Sequence, residues 1–245
     1  LPFAASHCKI KLGSLSLNHL TPEIILSFLD HLESERKNTA KTRNHRLAAI
    51  KSLAKMIRFM YPQWSASMDK IILIPQKRTQ RQLIGFLYPE EIDTVLNAVD
   101  MNTALGFRDY TILQLLYESG ARASEIAALN LDYLNPGQCT LAILGKGNRF
   151  RQIELSPTTV KMIKTYIINY RRKPMPTYAK RLFISQHGKA LTRHGIYRLC
   201  RKYLRLVLPE KRLEVLNPVH SFRHSCAVNM LAAGCSVTDI KNQLG

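Results

Sequence analysis

Acidic residues are scarce in this sequence. Its 245 residues contain 17 Asp and Glu against 36 Lys and Arg, so the formal net charge is +19. A surplus of this size predicts an anionic partner, either nucleic acid or a negatively charged membrane surface. An apolar fraction of 46% still provides enough hydrophobic side chains for a core, which excludes a disordered chain.

Long hydrophobic runs and paired cysteines are also missing. No apolar run approaches the length of a membrane span, and no basic segment leads into an apolar one at the start, so we expect neither a membrane anchor nor a signal peptide. The five cysteines are odd in number and contain no C-x-x-C pair. This spacing excludes a disulfide framework and a zinc site, and it predicts reduced thiols in a cytoplasmic protein.

Two domains and a linker are predicted from the patterning. Residues 1–75 show helical periodicity throughout, and residues 76–82 form a polar, basic stretch without periodicity, which is typical of a linker. Residues 83–245 alternate helical segments with two short strands around the loop Gly145–Asn148. The predicted fold is therefore mainly α with a small β-hairpin or sheet.

Two basic side chains share the start of a predicted helix after Pro218. His220 and Arg223 are three residues apart, so they lie on one face of that helix. A helix N-terminus attracts anions, and a guanidinium fork matches the geometry of a phosphate. His224 adds an i, i+4 histidine pair with His220, but the cation between them opposes a metal, so no metal site is predicted.

Two further motifs carry basic residues at turns. Gly120-Ala-Arg122-Ala-Ser-Glu125 follows an apolar helix, and Gly145-Lys146-Gly147 fits the loop of the hairpin. An exposed lysine in such a loop commonly has no specific role, and the phosphate-binding P-loop pattern is not met. Glu125 has two interpretations, a catalytic base or a structural residue. We favour the structural one because a carboxylate repels a phosphate.

Together the three motifs resemble those of the tyrosine recombinase (phage integrase) family. The resemblance implies a helical, SAM-like core-binding domain (1–75), a basic linker (76–82) and a mixed α/β catalytic domain (83–245) that is incomplete at its C-terminus. It also implies site-specific cleavage and exchange of DNA strands through a 3′-phosphotyrosyl intermediate, without a cofactor. The catalytic residues would be Arg122, Lys146, His220 and Arg223.

One part of the family pattern is absent. In the family a His or Trp follows the final Leu-Gly pair, and the nucleophilic tyrosine comes about one short helix later. Neither residue follows Leu244-Gly245. We therefore expect a chain truncated before the tyrosine, which binds DNA without cleaving it. Natural loss of the tyrosine, giving a non-catalytic DNA-binding regulator, stays an alternative, as does a type IB topoisomerase.

Double-stranded DNA is the predicted partner, and we expect dimers or tetramers to assemble on it. The expected location is the cytoplasm, in association with the nucleoid, and the expected origin is a prokaryote, a phage or a mobile element. Phosphate contacts are expected from basic residues on one helix of the first domain, in the linker and beside the hairpin loop. One further helix start offers outward-facing groups to the DNA. The predicted DNA-binding residues are Lys41, Arg43, Arg46, Lys51, Lys77, Arg78, Arg81, Arg149, Arg151, Thr192, Arg193 and Tyr197.

Overall fold

The computed structural model describes residues 1–79, 85–145 and 147–245. It divides the chain into two compact units, Leu1–Gln82 and Leu83–Gly245. The predicted fold class is confirmed, because helices dominate both units and the second also holds a small antiparallel sheet. Within the described ranges, no helix combines the length and the apolar character needed to cross a bilayer.

The N-terminal unit is helical. Its helices are α1 (Pro2–His7), α2 (Pro22–Ser34), α3 (Ala40–Met60) and α4 (Ser65–Ile72). The hydroxyls of Thr21 and Thr39 accept hydrogen bonds from the first-turn amides of α2 and α3, so both helices begin where a capping side chain allows it. Apolar faces of α2, α3 and α4 meet in one core that includes Leu29, Leu47 and Met68.

The C-terminal unit surrounds a larger core. Its first elements are α5 (Pro89–Asn97), α6 (Ala104–Ser119), α7 (Ala123–Ala128), β1 (Leu134–Asn135), β2 (Thr140–Leu144) and β3 (Phe150–Glu154). The remaining helices are α8 (Pro157–Thr165), α9 (Arg193–Val207), α10 (Glu210–Glu214), α11 (His220–Ala232) and α12 (Val237–Leu244). A π-helical turn, Tyr166–Tyr170, extends α8.

The sheet has the order β1-β2-β3, and both pairings are antiparallel. The two predicted strands are present as β2 and β3, whereas the short strand β1 was not predicted. Ile143 faces Arg151 across the hairpin, and the amide of Gly145 donates to the carbonyl of Arg149 at 2.8 Å. This bond closes the base of the loop that carries Lys146, a residue outside the described ranges.

Helix α6 lies at the centre of this unit and packs against α5, α7, α8, α9 and α11. Phe222 on α11 is fully buried in the shared core. The helix stops at Gly120, whose φ of +58° is in the left-handed region that favours glycine. The chain then turns into α7 with Arg122 at its N-cap. The end of α6 thus places the Arg122 motif beside the start of α11.

Two glycines provide a matched test of the packing at the start of α6. Gly106 in α6 and Gly195 in α9 each follow a threonine N-cap by three residues. A Cβ at Gly106 would lie 1.7 Å from the carbonyl oxygen of Asp100, whereas a Cβ at Gly195 meets side-chain atoms at 3.6 and 3.7 Å. We expect Gly106→Ala to destabilise the unit by about 1–3 kcal/mol. Gly195→Ala should stabilise it by about 0.5–1 kcal/mol, because glycine is a poor helix former.

Urea unfolding of the two variants checks this pair. Opposite shifts of the midpoint are expected, and equal shifts would contradict the packing described for the start of α6.

Candidate phosphate-binding site

Arg122 is fixed at the start of α7 by Glu125. The amide of Arg122 donates to Glu125 Oε2 at 2.9 Å, and its Nη1 donates to Glu125 Oε1 at 2.8 Å. The side chain of Arg122 is 41% exposed, so part of its guanidinium faces solvent. Nη2 donates to the main-chain oxygen of Gly245 at 3.1 Å. Glu125 therefore holds one edge of the guanidinium and leaves another to bind an oxygen ligand.

Arg223 approaches the same oxygen from the first turn of α11. Its Nη1 donates to the carbonyls of Gly120 and Leu244 at 2.8 and 2.9 Å, and its Nη2 donates to the oxygen of Gly245 at 3.3 Å. Two guanidinium groups that are 101 positions apart in sequence thus share one oxygen atom. A non-bridging phosphate oxygen has the acceptor character that this arrangement requires.

A third arginine completes the cluster. Arg151 of β3 donates through Nη2 to Glu125 Oε2 at 2.8 Å and through Nε to the carbonyl of Gln243 at 3.0 Å. The side chain of Glu125 is 5% exposed. Burial raises the pKa of Glu125, but hydrogen bonds from Arg151 and Arg122 outweigh it, so the net pKa is lowered. Glu125 is thus a buried anion, which fits the structural role favoured from the sequence.

The cluster carries excess positive charge. Among the described residues, the carboxylate of Glu125 faces three guanidinium groups, those of Arg122, Arg151 and Arg223. Burial lowers the pKa of Arg223, and the nearby charge of Arg122 lowers it further. The like charges repel each other, so a bound anion would relieve an unfavourable interaction that is already built into the fold.

His220 lies within electrostatic reach of this cluster. It opens α11, and its amide donates to Asn217 Oδ1 at 3.1 Å. Burial lowers the pKa of His220, and His224, Arg223 and Arg122 lower it further through their positive charge. The imidazole is therefore neutral near pH 7, so one ring nitrogen can accept a proton or a hydrogen bond.

The lowered pKa gives a testable pH dependence. An NMR titration of the His220 ring should have its midpoint below the ordinary value of about 6.5. Because the unfolded chain binds this proton more tightly, the contribution of His220 to stability is present above the unfolded pKa and is lost as the pH falls through the folded one.

Arg122→Ala should raise the midpoint of the His220 titration, because it removes one neighbouring positive charge. Arg58→Ala, which breaks an ion pair with Asp69 in the other unit, should leave it unchanged. If the midpoint of the His220 titration is the same in both variants as in the unaltered chain, neighbouring positive charge is not what lowers the pKa of His220.

Lys146 lies outside the described residues, but both of its neighbours are placed. A Cβ built at Gly145 would lie 3.5 Å from Nη1 of Arg151 and 4.0 Å from Oε1 of Glu125. Gly147 has a φ of +77°, and its side-chain position is open. The base of the lysine loop therefore rests against the arginine–glutamate cluster. Any role of Lys146 stays a prediction.

Most of the described residues with a predicted DNA contact are accessible. Lys41, Arg46, Arg78, Arg149, Thr192, Arg193 and Tyr197 are exposed, and Lys51 is partly so. The hydroxyl of Thr192 also caps α9, accepting from the amide of Gly195 at 3.1 Å. Arg81 lies outside the described residues. Accessibility permits phosphate contact by these side chains.

Two of the predicted contacts need correction. Arg43 is 4% exposed; its Nη1 donates to Asn44 and its Nε lies 3.4 Å from Glu33, too poorly aligned for a hydrogen bond. Arg151 is 12% exposed, and its Nε and Nη2 already donate to Gln243 and Glu125. Both side chains face the protein interior, because carboxylates from distant positions neutralise them there.

The second residue of the predicted linker, Lys77, is anchored. The side chain of Asn44 donates to the carbonyl of Lys77 at 2.7 Å and accepts from its amide at 3.0 Å. Lys77 Nζ pairs with Glu33 at 2.7 Å. Lys77 is therefore held on the N-terminal unit, and its ammonium already has a carboxylate partner.

Comparisons with known proteins identify the family. The model of the phage integrase family matches residues 85–245. The tyrosine recombinase XerD of Staphylococcus haemolyticus is 33% identical over 206 residues, which cover 81% of this chain and 68% of that protein.

Two solved structures share the fold. The XerH site-specific recombinase bound to its difH substrate before cleavage has a TM-score of 0.70 at 22% identity, covering 94% of this chain and 65% of that one. The Tn1549 transposon integrase in complex with circular intermediate DNA has a TM-score of 0.69 at 18% identity, covering 96% and 80%.

Proposed function

This chain belongs to the phage integrase family, and we propose that it catalyses site-specific strand exchange in double-stranded DNA, with Arg122, Lys146, His220 and Arg223 acting on one scissile phosphate. The single observation that carries this proposal is the oxygen atom shared by Nη2 of Arg122 and Nη2 of Arg223. XerD, named a tyrosine recombinase, and the DNA-bound XerH and Tn1549 integrase structures support it.

The two arginines would stabilise the charge that develops at phosphorus. When a nucleophile attacks a phosphodiester, negative charge grows on the non-bridging oxygens in the transition state. Donors already aimed at those oxygens need no reorganisation, and one such donor contributes about 3–4 kcal/mol. Glu125 and the carbonyls of Gly120 and Leu244 hold both guanidinium groups in place before DNA arrives.

Lys146 and His220 would handle the protons. During cleavage the tyrosine phenol bonds to phosphorus, the bond to the 5′ oxygen breaks, and Lys146 protonates that oxygen. The neutral imidazole of His220 is suited to accept the phenol proton as the bond to phosphorus forms. In the joining direction each transfer runs backwards, so Lys146 accepts the proton of the 5′-hydroxyl.

Tyr203, the last tyrosine in the sequence, is unsuited to be the nucleophile. Its hydroxyl donates to Asp109 at 3.2 Å, and burial followed by the charge of Asp109 raises its pKa to about 12. Burial also raises the pKa of Tyr117 in α6. A phenol held in its neutral form is a weak nucleophile. The joining step provides a test that does not need the tyrosine.

Assembly follows from the reaction. Exchange of strands requires two recombination sites, so protomers would associate as dimers or tetramers on DNA. We place the activity at the nucleoid in a bacterial cytoplasm, which is consistent with five free cysteines and with a relative from Staphylococcus.

A nicked duplex with an activated 3′ end tests the proposal. The binding sequence is first selected from a random duplex library. The nick is then moved through that sequence one base pair at a time, with a 3′-p-nitrophenyl phosphate on one side and a 5′-hydroxyl on the other. The 5′ oxygen attacks phosphorus and p-nitrophenolate leaves in place of the tyrosine, which is read both as colour and as a joined strand.

We expect one nick position to be joined much faster with the chain than without it, and other positions to be unaffected. Selective DNA binding without joining at any position would instead favour a non-catalytic regulator. Joining at every position, irrespective of sequence, would favour a topoisomerase.

A further inference from the structure

Arg151 occupies a position that DNA contact does not explain. It lies on β3 opposite Ile143, and its side chain is 12% exposed. Two of its nitrogens donate within the protein, Nη2 to Glu125 and Nε to the carbonyl of Gln243 on α12. The one side chain therefore bridges the hairpin, the start of α7 and the end of α12.

Glu125 divides its two oxygens between two arginines. Oε1 accepts from the side chain of Arg122, whereas Oε2 accepts from Arg151 and from the amide of Arg122. Among the described residues, removing Arg151 would leave this buried carboxylate with Arg122 as its one remaining side-chain partner. Arg122 would then be drawn toward Oε2, away from the oxygen that it shares with Arg223.

The same pair supports the lysine loop. Gly145 closes the hairpin by donating to Arg149, and a Cβ added to it would lie 3.5 Å from Arg151 Nη1 and 4.0 Å from Glu125 Oε1. Lys146 is the next residue in the chain. A displacement of Arg151 would therefore act on both sides of the site, on Arg122 through Glu125 and on the lysine loop through Gly145.

We propose that Arg151 is a positioning residue for strand joining, which sets the orientation of Arg122 and the base of the Lys146 loop through its bond to Glu125. The proposal rests on the function proposed above, because it needs a reaction to which those two residues contribute. It replaces the role in gripping the DNA backbone that the charge pattern suggested for Arg151.

Matched variants of β3 and its loop separate positioning from DNA contact. Arg151→Ala should slow joining at saturating DNA by about 100-fold, the usual effect of a small misplacement of reacting groups. The Kd for DNA and its salt dependence should change less than twofold. Arg149→Ala removes an exposed arginine two residues away. Arg149→Ala should instead weaken DNA binding and lower the slope of the logarithm of the binding constant against the logarithm of salt concentration by about 1. Its joining rate at saturating DNA should fall less than that of Arg151→Ala.

Two further variants test the bond itself. Arg151→Lys retains one donor toward Glu125 but cannot reach Gln243 at the same time, so we expect partial recovery of the joining rate. Glu125→Gln removes the charge that both arginines share, and adding Arg151→Ala to it should cause little further loss. Additive losses in the double variant would overturn the proposed route through Glu125.

Hydrogen exchange gives a readout that needs no activity. The Gly145 amide should exchange faster in Arg151→Ala and Glu125→Gln, whereas amides of the core helix α6 should not. An unchanged Gly145 amide, or a lower DNA affinity with normal joining, would overturn the inference. If the unaltered chain joins no activated nick, the proposed function fails, and the proposed positioning of the joining reaction fails with it.

Discussion

Arg223→Ala is expected to slow joining of the activated nick by about 10²–10³-fold at saturating DNA, the loss that follows removal of one preorganised donor to a developing oxyanion. Arg223 is half-buried, and its two terminal nitrogens converge on main-chain oxygens beside Arg122. A smaller side chain would leave the non-bridging oxygens with one guanidinium. Quench-flow measurement of strand joining gives the rate.

Loss of folding must be separated from loss of chemistry in this variant. Arg223→Ala also removes the donor to the carbonyls of Gly120 and Leu244, so thermal unfolding is measured alongside. Arg223→Gln keeps a donor for one carbonyl but removes the charge, and we expect it to fold while joining slowly. Arg122→Ala changes a more exposed side chain and should show a comparable kinetic loss. If Arg223→Gln joins the nick at the normal rate, the arginine pair does not stabilise the transition state.

Lys146→Ala is expected to slow joining of a 5′-hydroxyl by about 10²–10⁴-fold, the usual contribution of general acid–base catalysis. The proton of a 5′-hydroxyl must leave as the bond to phosphorus forms. A 5′-thiol is far more acidic, so its thiolate attacks without a base. A nick with a 5′-thiol should therefore be joined by Lys146→Ala nearly as fast as by the unaltered chain.

Two controls make the role of Lys146 specific. Lys146→Arg retains the positive charge but cannot give up its proton, so it should stay slow with the hydroxyl and be fast with the thiol. Arg122→Ala should be slow with both nucleophiles, because charge still accumulates on the non-bridging oxygens. If the thiol fails to restore joining in Lys146→Ala, then Lys146 acts as a fixed charge and not as a proton acceptor.

The parts of the site that sequence alone predicted are those fixed by local motifs. Gly120 permits the left-handed turn that places Arg122 at a helix start, and Pro218 precedes the helix that carries His220 and Arg223. Caps, turns and periodicity depend on neighbouring residues, so the helices and the hairpin could be predicted in the same way.

The parts that sequence did not predict depend on distant partners. Arg43 belongs to a basic stretch that resembles a DNA-binding face, but Glu33 on α2 pairs with it in the interior. Arg151 meets Glu125 from 26 positions away, and no local pattern distinguishes it from the exposed Arg149. Strand β1 has two residues, too few to show alternation. The signal in the sequence that could have found these partners is the scarcity of acidic residues. Each buried carboxylate must pair with a cation, so some of the surplus Lys and Arg side chains must lie in the interior.

The bond from Arg223 to Gly120 joins residues that are 103 positions apart. A ribosome that has released the chain only as far as α7 has made Arg122 but not Arg223. The two guanidinium groups come together only after α11 has been synthesised and has docked on α6. The proposed phosphate site therefore forms late in synthesis, from parts that are made at different times.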